Sequence, residues 1–392
     1  MSTRLTKSHL RGVMVSRSIT SSDFDSANAT GYSTFETIPD QPVPNPISKM
    51  VLNSSGECLQ TTDIDVITFK SGVSSTARYV IKDRTDSTTV MYGHNAPNTI
   101  QDWDTIGYST SPAVDKYSNP DLLVLEDGSY IVVFDNNYVF GSTRAIKACI
   151  VSKTGTKSFI TIETLTTTST KAGFPCICQL PDSSILVGFF ELKGDYLNMK
   201  LYRSTDNGSS FVLINDQALD TFINVNSSNY TVQKARLKAL GGQVLLIIGA
   251  YSASGSATNK NQVLQYASAD GGCNYTFVTT TADSQPFNRP ELFIYDNQFA
   301  VAYTTTTKLE YVVLPHAFYP IQSLIQANRQ ITIDTGLANE YAAGSDTNMT
   351  SGYIAGCSDA NNHIQIIYQD VSANATRIYY SEDGTTFRRQ LN

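Results

Sequence analysis

A short turn pattern, Ser-x-Asp-x-Gly-x-Ser-Phe, recurs along this chain and limits it to folds built from one repeated hairpin unit. It is complete at Ser204, Asp206, Gly208 and Phe211. It returns two residues longer at Ser268, Asp270, Gly272 and Phe277, and one residue shorter at Ser381, Asp383, Gly384 and Phe387. A degenerate copy at 152–159 keeps Ser152, Gly155 and Phe159 but lacks the Asp. These residue types make a tight hairpin turn. The carboxylate accepts backbone N–H groups of its own turn, the glycine takes a positive φ, and the closing aromatic packs beneath.

A second element recurs ahead of these turns. Residues 122–134 read as strand, Asp-Gly turn and strand, and the arrangement returns at 176–190, 237–250 and 291–303. The turn patterns start at 152, 204, 268 and 381, and the last interval is close to twice the others, so one copy is skipped. Period-2 alternation dominates, and no stretch sustains helical periodicity over three turns. Four strands every ~50 to 65 residues predict an all-β, six-bladed propeller. Its blades are expected at about 55–110, 118–165, 172–216, 230–283, 287–335 and 350–392.

Composition narrows the partners. Charged residues make up 16 % of the 392, against about 25 % in an average soluble domain, and Ser, Thr and Asn take their place. With 41 % hydrophobic residues, the bulk of the chain has material for a packed core and is not disordered. A net charge of −7 argues against nucleic acid as a partner. The longest apolar run, 244–251, is far too short to cross a bilayer, so no membrane insertion is expected. The N-terminus lacks the apolar stretch of a signal peptide. Cysteines at 58, 149, 176, 178, 273 and 357 show neither a CxxC pair nor ligand spacing to the four His. Neither a metal nor another cofactor is expected, and the thiols are read as reduced. Cys176 and Cys178 share one strand face.

Residues 1–50 do not fit the repeat. Arg4, Lys7, Arg11 and Arg17 precede Pro39, Pro42, Pro44 and Pro46, the composition of an arm and a stiff linker, which leaves 51–392 for the propeller.

The turns and their spacing resemble the Asp-box, or BNR-repeat, six-bladed propellers of the sialidase superfamily over about residues 55–392. The resemblance implies that the boxes serve structure on the face opposite the ligand site. The same fold carries hydrolases, lectin-like binders and protein receptors. Sialidase-like hydrolysis would need three arginines clamping a substrate carboxylate, a Tyr nucleophile assisted by a Glu, and an Asp acid/base. The residues that match are Arg78, after Phe69-Lys70-Ser71-Gly72 but without the family's Pro, and Arg236 and Arg289, near the starts of the fourth and fifth blades. Asp102 and Asp104, flanking Trp103, stand at a plausible distance for the acid/base loop, and Trp103 is placed either to stack a sugar ring or to cap that loop. Tyr311, Tyr319 and Tyr341 qualify as nucleophile, and Tyr341 is taken. No Glu stands between Glu191 and Glu291, so the nucleophile's partner is missing where the family would have it. Asp121 is an alternative carboxylate or a turn cap, Arg289 is near enough to Glu291 for a structural ion pair, and the expected ligand contacts are Arg78, Trp103, Asp121, Arg236, Arg289 and Glu291. His94 and His316 have no Ser or Cys partner motif, so a nucleophilic triad has no support.

The missing Glu and the neutral, Tyr- and Asn-rich surface favour recognition over hydrolysis. The expectation is a surface-displayed propeller that binds a glycan or a cell-surface receptor, as a virus or phage host-recognition protein. It would sit outside the cell or on a virion, with residues 1–50 contacting other subunits. The alternatives are a sialidase-like exo-glycosidase acting on terminal acidic sugars and a purely structural or protein-binding propeller. Convergence of Arg78, Arg236 and Arg289 on one pocket would discriminate between them.

Overall fold

Each hairpin unit of the sequence closes into one four-stranded antiparallel sheet in which sequence neighbours pair. The computed structural model describes residues 61–71, 74–83, 90–94, 104–107, 116–125, 129–137, 145–152, 156–165, 173–193, 196–219, 230–252, 261–281, 288–305, 307–335, 353–358, 362–370 and 375–390. Among them are six such sheets: I (61–107), II (116–164), III (173–218), IV (230–280), V (288–334) and VI (353–390). These limits lie close to the expected blade limits. The expected arm at 1–50 lies outside the described residues.

The first strands are Thr61–Ser71, Lys116–Val124, Gly173–Gln179, Tyr230–Leu240, Asn288–Tyr295 and Tyr353–Ser358. Each packs against the first strands of the two neighbouring sheets, and that of sheet I meets that of sheet VI, so the six close into a ring. Burial follows from this placement. Gly173–Gln179 is buried at every position but its last, whereas Val212–Ala218, the outermost strand of the same sheet, has no buried position. The core lies between sheets. Cys176, Leu186 and Phe190 of sheet III pack with Leu237, Leu246 and Tyr266 of sheet IV, and Phe293 and Tyr311 of sheet V pack with Ile366 and Tyr379 of sheet VI. The outermost strands leave one edge unpaired, and in sheets I to V their pairing carries a register shift that twists the edge away from a flat template.

The Ser-x-Asp turns join third to fourth strands. In sheet III the Ser204 hydroxyl donates to Asp206 Oδ1 at 2.7 Å and accepts from the Gly208 N–H at 2.8 Å, while Asp206 Oδ1 accepts the Ser210 N–H at 2.9 Å. Sheet IV repeats this with Ser268, Asp270 and Gly272, and sheet VI with Ser381, Asp383 and Gly384. The degenerate copy keeps only the serine part: Thr156 N–H donates to Ser152 Oγ at 2.9 Å. Phe159, expected beneath that turn, is instead 51 % exposed, because it lies on the outermost strand of sheet II, which has no buried position. Phe277 and Phe387 do pack, edge-on to Tyr266 and Tyr311 respectively, and Phe211 packs at the interface with sheet II.

These turns carry acid-sensitive stability. The Asp206 carboxyl is pulled to about 2 by hydrogen bonds from the Ser210 and Ser204 side chains and the Ser210 N–H. For Asp270 burial is the largest single influence and opposes ionisation, but the Ser268 hydroxyl and the N–H groups of Asn274 and Cys273 outweigh it and bring the group to about 2. A depressed folded-state pKa stabilises the fold above the ordinary carboxylate range, and that contribution disappears as pH falls through the folded value. The melting temperature is therefore expected to fall between about pH 4 and about pH 2, and Asp270→Asn should flatten that limb in a pH series of thermal melts. An unchanged limb in the variant would refute the assignment.

The skipped copy belongs to sheet V. After its third strand, Leu309–Leu314, the chain runs through Pro315 and His316 to Pro320 and a short helix, Ile321–Gln326. A buried side chain of sheet IV holds this replacement: Gln265 Nε2 donates to the carbonyls of Ala317 and Tyr319 at 2.8 and 2.9 Å, and its Oε1 accepts the Ile321 N–H at 2.8 Å.

Candidate functional site

A ring of inner strands brings side chains from non-adjacent sheets together at its axis. Lys234 and Arg236 stand two apart on the first strand of sheet IV and so point to one face. Arg236 Nε donates to both oxygens of Glu291, on the first strand of sheet V, at 3.2 and 3.1 Å. The same nitrogen lies 3.7 Å from Oδ1 of Asp121, on the first strand of sheet II. Lys234 Nζ pairs with Glu291 Oε2 and donates to the Ile354 carbonyl of sheet VI. Asp121 is further committed, its Oδ1 accepting the Leu122 N–H at 3.0 Å and its Oδ2 the Ile177 N–H of sheet III at 2.8 Å. The network thus touches the first strands of sheets II to VI.

All four ionisable side chains are buried, with exposures of 0 % for Asp121, 1 % for Glu291, 4 % for Arg236 and 8 % for Lys234. Among the described side chains, two cations face two carboxylates. Such an arrangement balances charge where desolvation would make any one of them costly alone. The adjoining Cys176 thiol is pushed well above its ordinary value, first by burial and then by the Asp121 charge, so it stays protonated and inert.

The expected site residues are placed unequally. Arg236 and Glu291 are partners, and Asp121 joins them across the axis. Asp121 does not cap a turn, because it sits inside a strand and bonds to the backbone of the next sheet. The partners found for Glu291 are Lys234 and Arg236, whereas the sequence suggested Arg289, whose side chain lies outside the described residues, although its backbone is in the first strand of sheet V. Arg78 is in the second strand of sheet I, opposite Ile67 and His94, and Asp104 opens that sheet's last strand opposite Tyr92. Their side chains, and Asp102, Trp103 and Tyr341 altogether, lie outside the described residues. Two of the nucleophile candidates are engaged elsewhere: Tyr311 donates its hydroxyl to the Gly384 carbonyl, and Tyr319 lies in the replaced turn of sheet V. Lys234 was missed, although the alternation Lys234-Ala235-Arg236 before an apolar run marks two cations on one strand face.

A tyrosine–glutamate pair does exist away from the axis. Tyr202 Oη donates to Glu163 Oε2 at 2.5 Å, and Lys200 bridges Glu163 at 3.3 Å and the buried Glu191 at 3.1 Å, tying sheet II to sheet III. Burial, then the Glu163 hydrogen bond and charge, raise the Tyr202 hydroxyl far above its ordinary value, so it stays protonated and donates to Glu163. Among the described residues no group of three or more His, Cys, Asp or Glu is placed to hold a metal ion, and the five described cysteines are free thiols.

No family model matches the chain, and no curated protein matches it. Solved structures do. A protein of unknown function from Dyadobacter fermentans aligns with a TM-score of 0.54 at 12 % identity, covering 84 % of this chain and 93 % of that one. The Trypanosoma rangeli sialidase in complex with the inhibitor DANA aligns at 0.51 and 8 % identity, covering 86 % of this chain and 56 % of that one. The fucose-specific lectin from Aleuria aurantia aligns at 0.50 and 10 % identity, covering 83 % and 94 %. At these identities the likeness is one of fold: the chain is an all-β propeller. No helix among the described residues is long and apolar enough to cross a membrane.

Proposed function

We propose that the chain is a carbohydrate-recognition propeller that binds its glycan without cleaving it. The observation that carries this reading is the state of Arg236. Of the three arginines suited to clamp a substrate carboxylate it is the one whose side chain is described, and Glu291 and Asp121 already neutralise it within the axis. A guanidinium held in a buried, balanced network serves the architecture and is not available as a fork for an acidic sugar. The fold, shared with a fucose-specific lectin as well as a sialidase, supports a carbohydrate ligand. In this reading the Ser-x-Asp turns are Asp boxes of the sialidase-superfamily kind, the propeller spans 51–392, and residues 1–50 attach it to an assembly such as a virion outside the cell. Any sugar-contacting role falls to Arg78, Trp103 and Arg289, with Asp102, Asp104 and Tyr341 not acting as catalysts.

The test pairs two assays on the full chain. A glycan array is expected to give a defined set of binding signals, and a 4-methylumbelliferyl sialoside is expected to release no fluorophore above a buffer control. Turnover that Arg289→Ala abolishes would overturn the reading in favour of hydrolysis. An array without signals above background would overturn it in favour of a structural or protein-binding role.

A further inference from the structure

The Ser-x-Asp turn of sheet III contains the chain's single Asn-Gly dipeptide, Asn207-Gly208. In such a dipeptide the backbone nitrogen of the glycine can attack the side-chain carbonyl carbon of the asparagine. A C–N bond forms to the glycine nitrogen, the bond to the side-chain nitrogen breaks, and that nitrogen takes up, through solvent, the proton the glycine nitrogen gives up and leaves as ammonia. Water then opens the five-membered imide at either carbonyl, leaving aspartate or isoaspartate at the position.

We propose that Asn207 is a spontaneous deamidation site whose rate Ser204 sets. Asn207 is exposed, and its φ of 55° explains why an asparagine is tolerated there. The attacking atom, however, is occupied. Gly208 N–H donates to Ser204 Oγ at 2.8 Å, and Ser204 Oγ is fixed in turn by donating to Asp206 Oδ1 at 2.7 Å. The bond holds the nitrogen's proton, and the Asp206 carboxylate opposes the negative charge that would develop on losing it. Gly208 cannot readily rotate out of this arrangement. Its φ is +85°, and a Cβ built on it would lie 2.5 Å from Ile131 Cδ1 of sheet II, so the residue is seated against its neighbour. The serine of the turn therefore has a chemical role beside its structural one: it protects the side-chain amide of Asn207 for as long as the turn is closed. Once formed, the product would place a carboxylate beside Asp206, and isoaspartate would lengthen the main chain of a turn seated on Ile131. Each conversion would thereby leave a lasting change where this turn meets sheet II.

The test incubates the full chain at mildly alkaline pH and follows Asn207 by tandem mass spectrometry of the peptide that contains it, with an isoaspartate-specific readout. Wild type in native buffer is expected to convert slowly and wild type in urea fastest. Folded Ser204→Ala should convert about fivefold faster than folded wild type, the factor one such hydrogen bond supplies, and Ser204→Thr, which keeps a hydroxyl, should restore protection. Equal rates for native and urea-unfolded wild type would overturn the proposal even if the alanine variant does not fold. Equal rates for folded wild type and folded Ser204→Ala would overturn the role of the serine.

Discussion

Glu291→Ala is expected to lower the unfolding free energy by about 3 to 5 kcal/mol, because it leaves two buried cations facing each other without their shared carboxylate. Lys234 and Arg236 are 8 % and 4 % exposed, and Asp121, the other described carboxylate of the network, lies 3.7 Å from Arg236 and is held by two backbone N–H groups. It cannot move to replace Glu291. Urea unfolding followed by far-UV circular dichroism measures the loss. A change within about 1 kcal/mol, the worth of an exposed pair, would show that the network is solvated and that Arg236 is available to a ligand after all. The quadruple variant Asp121→Asn, Lys234→Met, Arg236→Met, Glu291→Leu is expected to recover most of the loss, since neutral replacement of all four described members of the buried ion cluster removes the desolvation cost along with the attraction. Stability and recognition separate here. If the axis is architecture, a refolded quadruple variant keeps its glycan-array profile.

The parts of this molecule legible in the sequence are those whose chemistry is local. Ser204, Asp206 and Gly208 satisfy one another within a few residues, so their spacing alone specifies the turn, and the same holds at Ser268 and Ser381. The skipped copy in sheet V was visible as a doubled interval. Its replacement was not, because what seats the helix is Gln265, a side chain of the preceding sheet. The axial network was legible only in fragments. Asp121, Arg236 and Glu291 each stood out, but their partnership depends on ring closure, which brings sheets II, IV and V to one axis across long stretches of chain. Lys234 escaped for the same reason, since a cation two residues from another reads as an exposed strand face until both are found to point inward. The exposure of Phe159 was not legible for a related reason: the residue lies on the outermost strand of sheet II, none of whose positions is buried, and that placement is set by the sheet and not by the turn.

Gly272→Ala is expected to cost about 2 to 5 kcal/mol, in two separable parts. The residue has a φ of +84°, where any Cβ meets its own backbone, and this strain is worth roughly 1 to 2 kcal/mol. The added methyl would also lie 2.4 Å from Leu186 Cδ2 and 3.2 Å from the Tyr275 hydroxyl, in the interface between sheets III and IV. Leu186 is fully buried, and displacing it in a packed interface adds about 1 to 3 kcal/mol. Gly241 supplies the control. It shares a positive φ of +59° in the hairpin turn of the same sheet but has nothing within 4 Å of where a Cβ would stand, so Gly241→Ala should show the strain alone. The difference between the two variants in urea midpoint then measures how tightly the turn of one sheet is pressed onto the next. Gly272→Ala combined with Leu186→Ala tests the mechanism: if the clash is real, truncating leucine in the Gly272→Ala background should cost less than truncating it in wild type, because the new methyl fills part of the space. Strict additivity of the two substitutions would mean that the glycine serves only its own turn, and that the sheets are held together by their apolar faces without help from the repeated pattern.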